Sequence, residues 1–363
     1  MLTAGIVGLP MVGKTTVFNL LTGSGANTSR YFTGKTETNV GMARVPDSRV
    51  DFLAGLCRPR RTVYALIQCS DVPGLVRGAA RGEGVGNQFL AGIRGVDLLI
   101  MVLRAFADPE VPHADGSIDP LRDAETGLLE LLLADMELIE RRIGRLQSAK
   151  KITKEAAREL PVLEKCLAAL EKEIPLRGLE LAPEEREALS AHSFFTEKPV
   201  LFLVNTDEDQ FREKDYPGKE SLASFAAAQG IPLLEVCALL EMEIGRLDDD
   251  ERPLFLAELG IAEPGTARLA RAAYERLGLI SFFTTGADEV RAWTIRRGTN
   301  AKSAAGKVHS DMERGFIRAE VIRFADLFAL GSLAKVKEKG LARLEGKDYI
   351  VEDGDIITFR FNV

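Results

Sequence analysis

The chain has 363 residues, 46% of them hydrophobic and 28% charged, with a formal net charge of -7. That length and apolar content support two or three domains with separate cores and exclude a disordered or fibrous protein, while so small a charge gives no whole-molecule pull toward nucleic acid or membrane. The four cysteines, Cys57, Cys69, Cys166 and Cys237, form no C-x-x-C pair and read as buried thiols in a reducing compartment rather than disulfides or zinc ligands.

The opening MLTAGIVGLPMVG has no basic leader-like stretch, and no apolar run approaches the roughly 18 residues needed to span a bilayer. A soluble, cytoplasmic protein without a membrane partner is expected. Short apolar runs at 4–7, 65–69 and 97–103 alternate with helix-like stretches, and two more follow at 199–204 and 233–237. This is the pattern of a mainly parallel sheet with crossover helices, interrupted by an insertion.

Residues 8–15, GLPMVGKT, fit G-x-x-x-x-G-K-[ST] between the first strand-like run and the helical TVFNLL. In that context the glycines let backbone N–H groups converge on phosphate oxygens, and the helix amino terminus adds its positive dipole end. The run Leu9, Pro10, Met11, Val12, Gly13, Lys14, Thr15 and Thr16 is therefore expected to bind nucleotide. Lys14 would reach the β- and γ-phosphates, and the Thr15 hydroxyl would ligate Mg²⁺. Asp71-Val72-Pro73-Gly74 ends the next apolar run, so Asp71 is the expected metal carboxylate and the Gly74 N–H the γ-phosphate sensor. Leu75 then stands where a Ras-like enzyme carries its water-orienting Gln.

Inside the insertion, Leu128, Leu132, Met136, Ile139, Ile143 and Leu146 step by four and three, as do Ala156, Leu160, Leu163, Leu167, Leu170 and Ile174. Each set makes one apolar seam, and the polar KKITK turn between them predicts an antiparallel helical hairpin, with Pro161 kinking the second arm or marking its start. A partner-binding arm and a packing hairpin both fit. After the run at 199–204, Asn205-Thr206-Asp207-Glu208 occupies the place of a base-reading N-K-x-D, with Glu208 one methylene longer than the Asp that selects guanine. A lengthened carboxylate misplaces that pair of contacts and makes adenine specificity reasonable. Beyond Gly278 come short strands at 280–285, 290–295 and 316–322, then YIVEDGDIITFRF, which reads as a closing hairpin with Asp353, Gly354 and Asp355 at its tip. The region's Arg291, Arg296, Arg297, Lys302, Lys307, Arg314, Arg318 and Arg323 are mixed with acids, which suits a solvated surface or an RNA-facing patch. Arg58, Arg60 and Arg61 form a tighter basic cluster.

The stretch RGAARGEGVGNQFLAGIRGVDLLIMVLRAF after DVPGLV, together with NVGMARVPDSRVDFL, NTDED, VCALLEMEI and the block from VRAWTIRRGTNAKSAAGKVHSD to the carboxyl terminus, resembles the YchF family of Obg-like ATPases over nearly the whole chain. The resemblance implies a Ras-like G domain at 1–122 and 197–278, a helical coiled-coil insertion at 123–196 and a β-grasp TGS domain at 279–363. It also implies hydrolysis of ATP in preference to GTP, and binding to ribosomes. Residue by residue, Asn205 and Glu208 match the family's altered base motif, Cys237-Ala238 its loop beside the base, Leu75 its hydrophobic replacement for Gln, and His113 a histidine suspected of placing the attacking water. Thr206 falls inside the base motif. Two positions depart: Met11 stands where the family usually has Asn, and Lys35 interrupts switch I, leaving Thr36 as the candidate Mg²⁺ contact. A thioether is a poor ligand for K⁺, and the Lys35 ammonium is a candidate substitute for that cation. Three functions remain compatible: an ATP hydrolase whose cycle gates a ribosome or RNA-containing partner, a GTPase of the same build, and a nucleotide-gated adaptor with negligible turnover. The oligomeric state is left open.

Overall fold

The computed structural model describes all residues except 1, 27–37, 76–77, 79–84, 150–152, 249 and 363, and omits the side chains of 85–87 and 253. Among the described residues the strands are β1 (Thr3–Val7), β2 (Asn39–Val45), β3 (Arg61–Val63), β4 (Ala65–Asp71), β5 (Leu98–Arg104), β6 (Val200–Asn205), β7 (Leu233–Val236), β8 (Leu279–Thr285), β9 (Glu289–Arg296), β10 (Phe316–Arg323), β11 (Arg343–Glu345) and β12 (Asp355–Phe361). They form two six-stranded sheets, ordered β2-β4-β1-β5-β6-β7 and β11-β10-β12-β8-β9-β3.

In the first sheet β1 pairs in parallel with β4 and β5, and β5 with β6 and then β7. Every residue of β1, β5 and β6 is buried, as expected of parallel strands covered on both faces, which is why they read as unbroken apolar runs. The turns after β1, β4 and β6 leave from the same sheet edge, the carboxyl end, where open α/β sheets bind ligands. β2 went unread in the sequence. Its NVGMARV alternates inward residues, half-buried at Asn39 and Gly41 and buried at Ala43 and Val45, with exposed ones, and the polar and glycine residues at its start make a weak strand signal.

The insertion is the expected helical hairpin, with arms Pro120–Gln147 and Lys154–Leu170. Asp119 caps the first arm by accepting from Arg122 N, and Thr153 caps the second from Ala156 N. The second arm therefore starts at its cap and runs through Pro161, so the proline does not mark its beginning. Leu132, Ile139, Leu146, Leu163, Cys166 and Leu170 join one core with Leu176, Leu189 and Phe194. Ile174, expected on the seam, lies past the helix end and is exposed. Arg142 makes a two-pronged bond to Glu159 at 2.8 and 2.7 Å, which ties the arms together and holds that carboxyl below its usual range.

The chain packs as two units, Met1–Gly41 with Gln68–Thr266, and Met42–Ile67 with Ala267–Val363. These bounds differ from the sequence division in three ways, the first being that the carboxyl-terminal segment begins at Ala267 rather than at 279. The hairpin belongs with the first unit, because the return segment is clamped to it: the fully buried Asp135 accepts from Phe195 N at 2.9 Å, Thr196 N at 2.7 Å and the Thr196 hydroxyl at 2.7 Å. Residues 42–67, read as G domain, belong with the carboxyl-terminal unit. There β3 pairs in parallel with β9, Phe52 packs edge-on to Phe324 with centroids 5.6 Å apart, and Arg49 bridges to Asp353 at 2.8 Å.

In that second unit β10 lies antiparallel to β12, and β12 pairs in parallel with β8. Ile357 is buried with Phe359 packed beside it, whereas Thr358 and Arg360 are not in that core. The closing hairpin does not form, because residues 349–354 are not a strand: Ile350 makes only an isolated bridge to Asn300. Gly354 does take φ 93°, the left-handed turn its position called for. Some of the basic residues are paired with acids: Arg60 with Asp288, Arg61 with Glu289, Arg291 with Glu289, Arg323 with Glu352, and Arg314 with Asp311.

Asp135→Ala should cost about 3 kcal/mol, because it strips three buried donors of their acceptor. Urea unfolding followed by circular dichroism measures it; a loss under about 0.5 kcal/mol, the size of an ordinary surface substitution, would show that the clamp contributes nothing.

Candidate nucleotide site

The phosphate loop joins β1 to the helix Lys14–Thr22. Gly8 has φ 144°, and a Cβ there would come within 2.5 Å of the Val102 carbonyl oxygen. Gly13, at φ 94°, precedes the first helical residue, and a Cβ on it would meet Asn205 Nδ2 at 2.5 Å. Only glycine allows both the backbone angles and these approaches. Leu9 and Val12 turn their side chains into the core, so what they offer a ligand is backbone.

The buried Lys14 ammonium donates to the Leu9 carbonyl at 2.6 Å and sits 3.4 Å from where a Cβ on Gly74 would lie. The Thr15 hydroxyl donates to Asp71 Oδ2 at 2.9 Å, and Asn39 Nδ2 reaches the same oxygen at 3.4 Å. A hydroxyl and a carboxylate side by side are hard oxygen donors, the type Mg²⁺ takes. Sequence reading thus placed Lys14, Thr15, Asp71 and Gly74 in one site, and the fold brings them together. Asn39 was missed, since it lies in the unread β2. Thr36 and Lys35 fall outside the described residues.

Leu75 explains the missing Gln in steric terms. Its N–H donates to the Gly8 carbonyl at 2.9 Å, and its side chain is 1% exposed, close to Gly127 of the long helix. An amide carried there would lose its water without a partner.

Asn205 ends β6 and joins the two loops of the site. Its Nδ2 donates to the Val12 carbonyl at 3.1 Å and its Oδ1 accepts from Ala238 N at 3.1 Å; this amide orientation follows from the two partners. Cys237 and Ala238 are buried at the start of the helix Ala238–Arg246. Burial pushes the Cys237 thiol up, and the nearby Glu208 and Asp207 carboxylates add to the shift. Thr206 differs from expectation: it is buried, and both its N–H and its hydroxyl donate to the Val236 carbonyl, so its side chain offers nothing to a base. Glu208 is the first residue of a helix capped by Asp207, which accepts from Gln210 N. Its carboxylate is open to solvent and paired with Arg212.

His113 is not a water-facing base. Its ring is 4% exposed, its Nδ1 accepts from Asp115 N at 3.1 Å, and its Nε2 lies 2.9 Å from Asp123 Oδ2. With Nδ1 accepting, the proton belongs on Nε2 and is donated to Asp123, so no lone pair faces solvent. The cause is the buried Arg104, which the sequence reading passed over. Its guanidinium donates to the carbonyls of Phe106 (3.1 Å), Asp108 (3.4 Å), Val111 (2.9 Å) and Pro112 (3.5 Å), which folds the loop before His113 inward. An arginine closing the apolar run LLIMVLR was the available signal, because a buried guanidinium must find acceptors.

Met11 has φ 65°, one of four non-glycine residues with positive φ among those described. Asn visits that left-handed region more readily than Met does, which gives a backbone reason for the Asn that the family resemblance implies at this position. Met11→Asn should raise stability by about 0.5 kcal/mol, and the β-branched Met11→Val should lower it by about 1 kcal/mol or more. Urea unfolding without nucleotide reads both; a Val variant as stable as the parent would contradict the left-handed geometry.

Comparison with known proteins agrees with this fold. A family model described as "50S ribosome-binding GTPase" matches residues 3–135, and the YchF-GTPase_C model, described as a protein of unknown function, matches 279–362. The Ribosome-binding ATPase YchF of Bacillus subtilis (strain 168) is 46% identical over 366 residues, covering 100% of each chain. Its Escherichia coli O157:H7 counterpart is 45% identical over 360 residues, with 99% of each chain covered. The solved structure of the Schizosaccharomyces pombe YchF GTPase superposes with a TM-score of 0.86 at 32% identity, covering 99% of this chain and 97% of that one. A GTP binding protein from Pyrococcus horikoshii OT3 shares the fold with a TM-score of 0.58 at 17% identity, over 99% of this chain and all of its own. With its phosphate loop, the Asp71 carboxylate beside it and the interrupted sheet in place, the chain belongs to the YchF family of P-loop nucleotide hydrolases.

Proposed function

We propose that the protein is a Mg²⁺-dependent hydrolase that prefers ATP to GTP and whose nucleotide state controls binding to the ribosome. The carrying observation is the meeting of Lys14, Thr15, Asp71 and Gly74 beside a loop that ends in Glu208 rather than Asp. Lys14 holds the β- and γ-phosphates, the Gly74 N–H contacts the γ-phosphate, and Thr15 and Asp71 hold the metal. Bound Mg²⁺ neutralises charge that builds on the phosphate oxygens. The chemistry does not draw on His113 or on an amide at position 75, so turnover rests on positioning and charge and is slow without a partner.

The names of the relatives divide on the base, with ATPase for the Bacillus subtilis protein and GTPase for the Schizosaccharomyces pombe structure. Glu208 favours ATP, since its longer side chain does not sit where two guanine donors would meet it. Ribosome binding is carried over from the names of the bacterial relatives, which the chain matches end to end.

Titration calorimetry with Mg²⁺ should give ATP at least tenfold tighter binding than GTP, about 1.4 kcal/mol. The opposite preference would make the protein a GTPase. Lys14→Ala and Asp71→Ala should each abolish hydrolysis or nucleotide binding with the circular dichroism spectrum intact, and EDTA should do the same to the parent; normal turnover in both variants would remove the site assignment. Co-sedimentation with ribosomes should change between ATP-bound and ADP-bound protein.

A further inference from the structure

Glu208 does not stand alone at the base loop. It opens the helix Glu208–Glu213, and Arg212 follows one turn later on the same face, its Nη2 donating to Glu208 Oε1 at 2.6 Å. The side chains are 58% and 51% exposed for Arg212 and Glu208, yet the backbone beneath them is fixed. Gln210 completes a capping box with Asp207 and donates to the Ala105 carbonyl at 2.9 Å, while Ala107 N reaches Asp207 Oδ2 at 3.3 Å. On the adjoining side Asn205, three residues before Glu208, accepts from Ala238 N and so holds the Cys237-Ala238 loop beside this one. The helix therefore presents an acceptor and a donor side by side, next to the loop that flanks the base.

We propose that Glu208 and Arg212 act as a pair that reads the Watson–Crick edge of adenine, the carboxylate accepting from the exocyclic amine and the guanidinium donating to N1. The inference rests on the reading that this loop faces the base, and it adds a second specificity residue to it. Adenine presents a donor at its amine next to an acceptor at N1, the complement of this pair. Guanine and hypoxanthine present N1–H, so a guanidinium there would face another donor and leave both unsatisfied. The length of Glu208 alone only weakens the contact to two guanine donors; Arg212 goes further, occupying one carboxylate oxygen and setting a positive donor beside it. Selectivity then comes from the pair, with the extra methylene of Glu208 giving the reach to form it. As a solvent-exposed i,i+4 contact the pair contributes little to stability, so its removal leaves the fold standing.

The test uses the full chain with Mg²⁺ and diphosphates, which avoid hydrolysis: ADP, GDP, IDP and purine riboside diphosphate, which keeps the N1 acceptor and lacks the amine. Arg212→Met should lower the ratio of ADP to IDP affinity at least tenfold, equivalent to about 1.4 kcal/mol, and should lower the preference for purine riboside diphosphate over IDP in parallel. Arg212→Lys, which keeps a cationic donor, should retain most of both preferences. Glu208→Ala should instead erode the preference for ADP over purine riboside diphosphate, since it removes the partner of the amine. Adenine preference that survives unchanged in Arg212→Met would overturn the role of Arg212 while leaving the ATP reading in place. A parent protein that binds ADP, GDP and IDP alike would overturn the ATP reading and the pair together.

Discussion

Asn205 spans the gap between the phosphate loop and the loop beside the base, and the geometry of the site follows from what that span requires. Its amide needs the Val12 carbonyl on one side and Ala238 N on the other, so the ends of β1, β6 and β7 must lie at fixed spacing. The parallel ladders from β1 through β5 to β6 and β7 supply that spacing. Gly13 must lack a side chain because the Asn205 amide occupies the space where one would go. A bridge buried in this way is costly to half-satisfy, so the two loops are positioned together.

The next loop out obeys a similar constraint with charge in place of an amide. Burial pulls the Arg104 guanidinium below its ordinary value, with Asp108 and Asp123 opposing the shift, and its donors take four carbonyls in succession. Ala105 N and Phe106 N then donate to the Asn205 carbonyl at 2.9 and 3.1 Å, which joins this loop to the base motif. His113 ends up as a strut between Asp115 and Asp123. Leu75 is turned inward on the other side. Neither the His113 ring nor the Leu75 side chain faces solvent here.

The carboxyl-terminal unit shows a different economy. Its sheet takes β3 from a segment more than two hundred residues earlier in the chain, through Arg60 N and Arg61 N bonded to the carbonyls of Ala287 and Asp288. Arg49, placed between Asp47 and Asp353 and over the Phe283 ring at 5.1 Å, fixes that segment further. The basic residues that composition singled out, Arg60 and Arg61, are spent in part on this attachment.

What the sequence determined by itself is whatever depends on local spacing. GLPMVGKT fixes a phosphate loop because the strand, the glycines, the lysine and the hydroxyl are contiguous. DVPG was placed by following an apolar strand, and the hairpin arms were legible because their seams repeat at helical intervals. Tertiary structure alone decided what depends on partners distant in the chain. Only the fold shows that the Thr206 and His113 side chains are tied to Val236, Asp115 and Asp123. Residues 42–67 join the second unit through a strand pairing that their own sequence does not encode, and YIVED loses its expected hairpin because β12 finds β10 and β8 instead. Arg212 acquires meaning only once the helix that carries it is capped beside the base loop, since an i,i+4 spacing on a polar helix is otherwise an ordinary surface pair.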